Sequence, residues 1–434
     1  MIKNIFQNYL VEERKQGFAT NISSHFLLRT LVHKKLAKLE GGYLMLKDPY
    51  GVSYFGDKKA AKGKMLAIHI KDAEFYPLLA FKGALGASEA YIKGVWDVND
   101  LYGLMRFLSM NEKTLVALDK GLSSLKNVSS FFYHFLKRNS VLGAKKNIKA
   151  HYDLSNEMFS QFLDPRMMYS SAFYASKDKT LEEASLAKLD RICRKLGLKK
   201  EDKVVEIGSG WGGFAIFAAQ KYGCHVTTTT ISDDQYQYAK KKIKELNLDS
   251  HITLLKKDYR ELQGSFDKLV SIEMIEAVGA SYLPSYIKKC SDLLKEDGSM
   301  LLQAITINDQ DYLRALREVD FIKKYIFPGS FIPSIHAIGQ AVLSHSDLRM
   351  YHLEDMTSHY ERTLLDWQER FNKNYAKIEK LGFDNTFKRM WNYYFSYCAG
   401  GFAERKIGSV QILYGKRGYR DDLSLQMTCH EHSY

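Results

Sequence analysis

The 434-residue sequence predicts an α/β protein, a doubly wound, Rossmann-like domain preceded by a small mixed α/β domain. Three observations predict it. The turn VVEIGSGWGGF, Val204 to Phe214, sets glycines between a β-branched strand and a helical pattern. From Thr180 onward, short β-rich runs alternate with amphipathic helical runs, as parallel βαβ units require. Before that point the text is different in kind, with a hairpin signal, isolated helical patterns and a concentration of basic residues.

The N-terminal third holds most of the net charge of +13: residues 1–150 carry 24 Lys and Arg against 12 Asp and Glu. Such a patch calls for a polyanion, and an anionic membrane or a nucleic acid would both serve. GGYLMLKDPYGVSYFG suggests a hairpin around Asp48–Gly51, with helical patterns near Phe75 and Leu101. In SSFFYHFLKRN, residues Phe131, Phe132, Phe135 and Leu136 form an apolar stripe ending in Lys137 and Arg138. This reads equally as a membrane-facing stripe or a buried helix with a basic end. The expected organisation is a basic, lipid-docking domain over 1–125, a linker over 126–150, a catalytic domain over 151–418 and a tail over 419–434.

Thr180 and Glu183 form a capping box ahead of Leu186, Leu189, Ile192 and Leu196, and Gly197 closes that helix. Strand VVEIG, helix GGFAIFAAQKY, strand HVTTTTIS, helix DDQYQYAKKKIKEL, strands ITLLKKD and KLVSI, a helix near Tyr282–Leu294 and strand MLLQAIT follow. Beyond Asp309 the pattern is mostly helical and ends in the strand-like VQILYG.

Glycines crowd a strand-to-helix turn where backbone N–H groups must approach a ligand closely. Gly208-x-Gly210-x-x-Gly213 fits a dinucleotide fingerprint, which wants an acid at the end of the next strand for the ribose. That strand, HVTTTTIS, ends in threonines, and the acid is Glu206, inside the glycine turn's own strand. The arrangement looks more like an S-adenosylmethionine site than a nicotinamide one. Because doubly wound sheets bind ligands at strand carboxyl ends, Gly208–Gly213, Thr230, Asp258, Glu276 and Gln303 are expected to share one cleft.

No apolar run approaches the ~20 residues of a membrane span, and MIKNIFQNYLVEERKQ offers no signal-peptide core. The five cysteines are widely separated with no C-x-x-C, so neither a disulfide framework nor a zinc ribbon is indicated, and a reducing cytoplasm is expected. Cys429-His430-Glu431-His432 has metal-ligand residue types but reads as a solvated tail, so no metal is expected.

Several segments together resemble the cyclopropane-fatty-acyl-phospholipid synthase family of methyltransferases: HYDLSNEMFSQFLDPRMMYSSAFY, VVEIGSGWGGFA, TISDDQ, KDYREL, SIEMIEAVG, FIKKYIFPGSFIPS and HYERTLLDWQERF. The resemblance runs from about residue 145 to 418. It implies a class I methyltransferase fold and methyl transfer from S-adenosylmethionine to a cis double bond in a phospholipid acyl chain. By resemblance, the cofactor would touch Tyr169, Ser170, Glu206, Gly208, Gly210, Gly212, Thr230, Gln235, Asp258 and Tyr259. The family holds a bicarbonate, acting as base, between a Cys, a Glu, a His and a Tyr. Here the Cys position is Ser171 and the His position is Gln303, while Glu276 and Tyr360 remain. These four are the expected catalytic residues, and the lost imidazole leaves the proton route open. Immediate loss of a methyl proton closes a cyclopropane, whereas a prior hydride shift gives a methylene or methyl branch. The competing readings are a lipid-binding protein without catalysis and a nucleic-acid methyltransferase, although no D/N-P-P-Y motif is present. The expected partners are unsaturated phospholipid acyl chains and an anionic membrane surface, with no nucleic acid. The expected place is the cytoplasm, at the inner face of the membrane, and a homodimer is left open.

Overall fold

The computed structural model describes residues 22–59, 64–119 and 155–420. The linker, the SSFFYHFLKRN stripe, His151–Leu154 of the HYDLSNEMF motif and the Cys429–His432 cluster lie outside the described residues. The chain divides into two compact units: residues up to 128 together with 384–394, and the remainder.

The first unit is built on a four-stranded sheet of β1 (Tyr43–Asp48), β2 (Gly51–Gly56), β3 (Leu66–Ile70) and β4 (Trp96–Val98), ordered β2-β1-β3-β4. The expected hairpin is β1–β2, paired antiparallel with Asp48 opposite Gly51. β1 pairs parallel with β3, and β3 antiparallel with β4. Neither β3 nor β4 was expected from the sequence: β4 is three residues long, too short for a period of two to register. One side of the hairpin buries Leu44 and Leu46. Alternation leaves Val52 and Tyr54 of β2 exposed on the other side. The helix Ile22–Leu36 is tied to this sheet by Arg29, whose Nε reaches buried Asp48 at 2.6 Å. Tyr76 also donates to Asp48, and together these partners hold the carboxyl below its usual range despite burial. Arg389 donates to the Trp96 carbonyl at 2.8 Å, which places residues 384–394 in this unit.

The second unit contains seven strands: β5 (Lys203–Ile207), β6 (His225–Thr229), β7 (Ile252–Leu255), β8 (Phe266–Ile272), β9 (Leu294–Ile307), β10 (Arg349–Asp355) and β11 (Ile407–Gly415). Their order is β10-β11-β9-β8-β5-β6-β7. Pairing is parallel from β7 through β9, and β11 runs antiparallel to both its neighbours. This is the doubly wound architecture the sequence predicts. Alternation along each strand divides the apolar residues into two layers. Val205, Leu269, Met300 and Ile412 pack with Tyr286 and Ile287 of the helix Leu283–Asp292. Val204, Val270, Leu301 and Leu413 pack with Leu189, Ile192 and Phe214. Burial on both faces explains the near-continuous apolar runs of the inner strands. β10 was not expected, because as an edge strand it is largely exposed and its residues, RMYHLED, carry little apolar pattern.

Thr180 caps the helix Leu181–Lys195 through the expected box with Glu183, an arrangement worth about 1 kcal/mol. The sheet order reverses between β5 and β8. The crevice beyond their carboxyl ends is where this topology places a ligand.

Candidate active site

At the end of β5 the chain turns through Gly208 (φ 94°), Gly210 (φ 49°) and Gly212 (φ 90°), a left-handed path that residues with a Cβ rarely follow. A Cβ on Gly210 would meet nothing within 4 Å and would project into open space. Gly212 caps the helix Gly213–Tyr222 and lies behind the cavity wall. The turn leads into one cleft, lined by Tyr169, Ser170, Thr230 and Gln235. Asp258 and Tyr259 follow β7, and Glu206 and Glu273 come from β5 and just past β8.

Polar groups around the cleft are fixed by one another. Thr230 donates to Gln235 Oε1 at 2.9 Å and accepts from the Ser232 N–H. Asp258 is gripped by Arg260 through Nε at 2.8 Å and Nη2 at 2.6 Å, and the guanidinium lies over the Tyr259 and Tyr282 rings. Trp211 donates to Asn156 Oδ1 at 2.6 Å, joining the glycine turn to the N-terminal motif. Tyr169 packs among Phe159, Phe327 and Trp367. Glycine backbone, aromatic faces and buried acids suit a ligand carrying a sulfonium, an ammonium and a carboxylate.

The inner end of the cleft is a buried charge cluster. The Lys188 ammonium, fully enclosed, donates to Ser170 Oγ at 2.8 Å. Desolvation pushes it down to about 8, against the pull of Glu273, Asp164 and Glu206. The Glu273 carboxylate accepts three hydrogen bonds, from the Ser171 N–H at 2.9 Å, Gln303 Nε2 at 2.8 Å and the Tyr360 hydroxyl at 2.7 Å. Tyr360 is itself stacked on Phe402, with ring centroids 4.4 Å apart. Glu276 stands apart from this group. Its Oε1 accepts from the Ile305 N–H, its Oε2 is buried without a partner, and it does not line the cleft. Desolvation, then the neighbouring Glu273, push Glu276 up to about 8, so it is largely neutral at pH 7.

The family model described as mycolic acid cyclopropane synthetase matches residues 140–412. This chain belongs to the mycolic acid cyclopropane synthetase family. As a member it is an S-adenosylmethionine-dependent methyltransferase with the class I fold. It is 32% identical to the tuberculostearic acid methyltransferase UfaA1 of Mycobacterium tuberculosis over 88% of both chains. It is 34% identical to the cyclopropane-fatty-acyl-phospholipid synthase of Escherichia coli K12, over 80% of this chain and 87% of that one. Among solved structures, mycolic acid cyclopropane synthase CmaA1 complexed with SAH and CTAB is 28% identical, with a TM-score of 0.59. That match covers 63% of this chain and 98% of CmaA1.

Within this cyclopropane synthetase fold, nine of the ten cofactor positions expected from the sequence line one cleft, and Gly212 is the exception. The open space over Gly210 and the ring of polar strand ends fit S-adenosylmethionine. The four expected catalytic residues are arranged differently from expectation. Ser171 offers its main-chain N–H, because its hydroxyl donates to the Ala172 carbonyl at 3.1 Å. Gln303 and Tyr360 converge with it on Glu273, and no hydrogen bond joins Glu276 to them. A bicarbonate does not fit this arrangement: the three donors that would hold it already hold a carboxylate, and a second anion there would face Glu273's charge. The sequence reading missed Glu273 and Lys188. Glu273 is the first residue past β8, a position the strand-end rule marks. Lys188 carried no signal beyond its place in an amphipathic helix.

Proposed function

We propose that this methyltransferase alkylates the cis double bond of unsaturated acyl chains in membrane phospholipids and closes a cyclopropane. The observation that carries the reading is a cofactor cleft ending on a buried, hydrogen-bonded carboxylate, in a chain 34% identical to a cyclopropane-fatty-acyl-phospholipid synthase. S-adenosylmethionine, when bound, supplies an electrophilic methyl group on a sulfonium. The glycine turn and Thr230–Gln235 would position it, with Tyr169 presenting an aromatic face. The Tyr169 ring, which lines the cleft and is backed by Phe159, Phe327 and Trp367, would offer its π face to the cation that forms on the acyl chain. The match to a tuberculostearic acid methyltransferase favours a second reading, in which the same transfer ends in a methylene or methyl branch.

For substrate access, the first unit supplies the membrane face in this proposal. Phe26, Tyr50, Val52 and Tyr54 are large and exposed, and Phe26 and Tyr50 meet edge to face. Lys34 and Lys35 stand in the last turn of the helix Ile22–Leu36, which carries Phe26 near its start. Among the described residues no helix is long and apolar enough to cross a membrane, so the association would be peripheral.

The test is incubation with S-adenosylmethionine and vesicles of mono-unsaturated phospholipid. The expected outcome is S-adenosylhomocysteine release dependent on the double bond, with upfield ring protons in the proton spectrum of the extracted lipid. Downfield vinylidene protons would select the second reading. Release that is equal with saturated lipid would overturn both.

A further inference from the structure

Glu273 occupies a position that glycine would fill more easily. Its φ of 51° lies in the left-handed region, where a glutamate is uncommon and carries a conformational cost that persists only when surroundings impose it. Those surroundings are the three donors Ser171 N–H, Gln303 Nε2 and the Tyr360 hydroxyl. Oε1 accepts two of the bonds and Oε2 accepts one. Of the two in-plane lone pairs on Oε2, one therefore has no donor among the described residues. The residue also lines the cofactor cleft, which Ser171, Gln303, Tyr360 and Glu276 do not.

Resting on the methyl-transfer reading above, we propose that Glu273 is the base of the reaction, a carboxylate of the protein's own chain standing in the place of an exogenous bicarbonate. The transferred methyl forms its bond to carbon with the alkene π pair, as its bond to sulfur breaks and leaves a neutral thioether. A cation then stands on the adjacent chain carbon. Glu273 takes a proton from the new methyl group through Oε2, and the released C–H electron pair forms the third bond of the ring. In the branched alternative, a hydride shift precedes the same proton loss and the pair forms a C=C bond. Glu273 ends as a carboxylic acid and returns its proton to solvent before the next turnover. Burial pushes the Glu273 carboxyl above its ordinary range, and the hydrogen bonds from Tyr360, Ser171 and Gln303, followed by the charge of buried Lys188, oppose this and favour its ionised form. Glu276 is poorly suited to the same task, since it is outside the cleft and its Oε1 is held by the Ile305 N–H.

The test uses the full chain and sodium bicarbonate itself as probe. Calorimetric titration of bicarbonate into the wild-type protein is expected to show no binding. Glu273→Gly, which removes the carboxylate and relieves the left-handed position, is expected to bind it. Turnover of the wild type in carbon-dioxide-stripped buffer should equal that with added bicarbonate. Glu273→Gln should lower kcat by at least about 100-fold, as loss of a general base does, with S-adenosylhomocysteine affinity within about threefold of wild type. Added bicarbonate should raise the turnover of Glu273→Gly and leave Glu273→Gln unchanged, since the glutamine still fills the space. Bicarbonate binding to the wild type, loss of wild-type turnover on stripping, or a fully active Glu273→Gln would each overturn the proposal. If no unsaturated lipid is turned over by the wild type, the methyl-transfer reading falls. The titrations then still decide whether Glu273 fills the anion position: binding by Glu273→Gly alone supports that, and equal binding overturns it.

Discussion

Gln411 Nε2 donates to the side-chain Oε1 of Gln303 at 3.0 Å, across the pair β9–β11 where the two residues are directly opposed and fully buried. The direction of this bond is fixed from behind. Lys195, a donor only, points its ammonium at Gln411 Oε1 at 2.8 Å, so Gln411 must turn its NH2 toward Gln303. Gln303 in turn has only its own NH2 left for Glu273. Glu354, held by Arg191, anchors Lys195 at the far end. A chain of side chains thus sets the polarity of one amide beside the cleft.

Gln411→Leu should therefore lower kcat about tenfold, the effect of losing roughly one net hydrogen bond's 1.4 kcal/mol of positioning. The Gln303 amide would be free to flip its oxygen toward Glu273. Steady-state kinetics with S-adenosylhomocysteine affinity measured in parallel checks this. A matching loss of cofactor affinity would indicate general disruption instead.

Ser171→Ala should keep turnover within about threefold of wild type, because the donor to Glu273 is the main-chain N–H and the hydroxyl serves only the Ala172 carbonyl. Tyr360→Phe removes a real donor to Glu273 and should cost about tenfold or more in kcat. Comparing the two variants in one assay separates main-chain from side-chain contributions.

Gly210→Leu should fold but lose S-adenosylhomocysteine binding by about 100-fold or more, since its side chain would project into the cleft. Because φ is 49° there, Gly210→Asn serves as a companion that tolerates the left-handed backbone while still occupying space. Calorimetry on both distinguishes blocked space from backbone strain: strain alone would spare the asparagine variant.

The stability contributed by Glu276 and Glu206 should fall as pH rises from about 5 to about 8, while the half-buried imidazoles of His33, His352 and His359, lowered by desolvation, act in the opposite sense below about 6.5. Burial raises Glu276 from 4.5 to about 8 and Glu206 from 4.5 to about 7. A raised carboxyl stabilises the fold fully below its unfolded value, and that contribution is lost as pH climbs through the folded one. Lys188, lowered to about 8, acts in the opposite sense and only above that pH. Thermal melts across this range should show wild-type Tm declining relative to that of Glu276→Gln, which should keep kcat within a few-fold. A Tm difference between the two that is constant from pH 5 to 8 would contradict the assignment.

Binding to vesicles should require anionic lipid and weaken with salt, because each Lys or Arg near the surface contributes about 1 kcal/mol that ions screen. Replacing Phe26 and Tyr54 with serine should reduce sedimentation with vesicles without altering cofactor affinity, as both are exposed on the first unit. Equal binding to neutral vesicles at low salt would count against a basic docking face.

By itself the sequence determined the doubly wound sheet, the glycine turn and the cofactor end of the cleft. These are local in kind: Gly208 to Gly213 is one turn, Thr180 to Glu183 one cap, and Thr230 and Asp258 are each marked by standing at a strand end. Even the edge strand β10 and the three-residue β4 escaped only because exposed or very short strands carry little alternation. What tertiary structure alone decided is which carboxylate Ser171, Gln303 and Tyr360 face. Glu273 and Glu276 are three residues apart in SIEMIEA, chemically identical, and both lie past β8. The left-handed backbone at Glu273 turns one of them toward Ser171, Gln303 and Tyr360, while the other turns to the Ile305 N–H. Ser171 is 102 residues from Glu273 in the chain, and Tyr360 is 87. A carboxylate's protonation and partners depend on groups brought together by the fold from such distances, and no local pattern in the sequence records them.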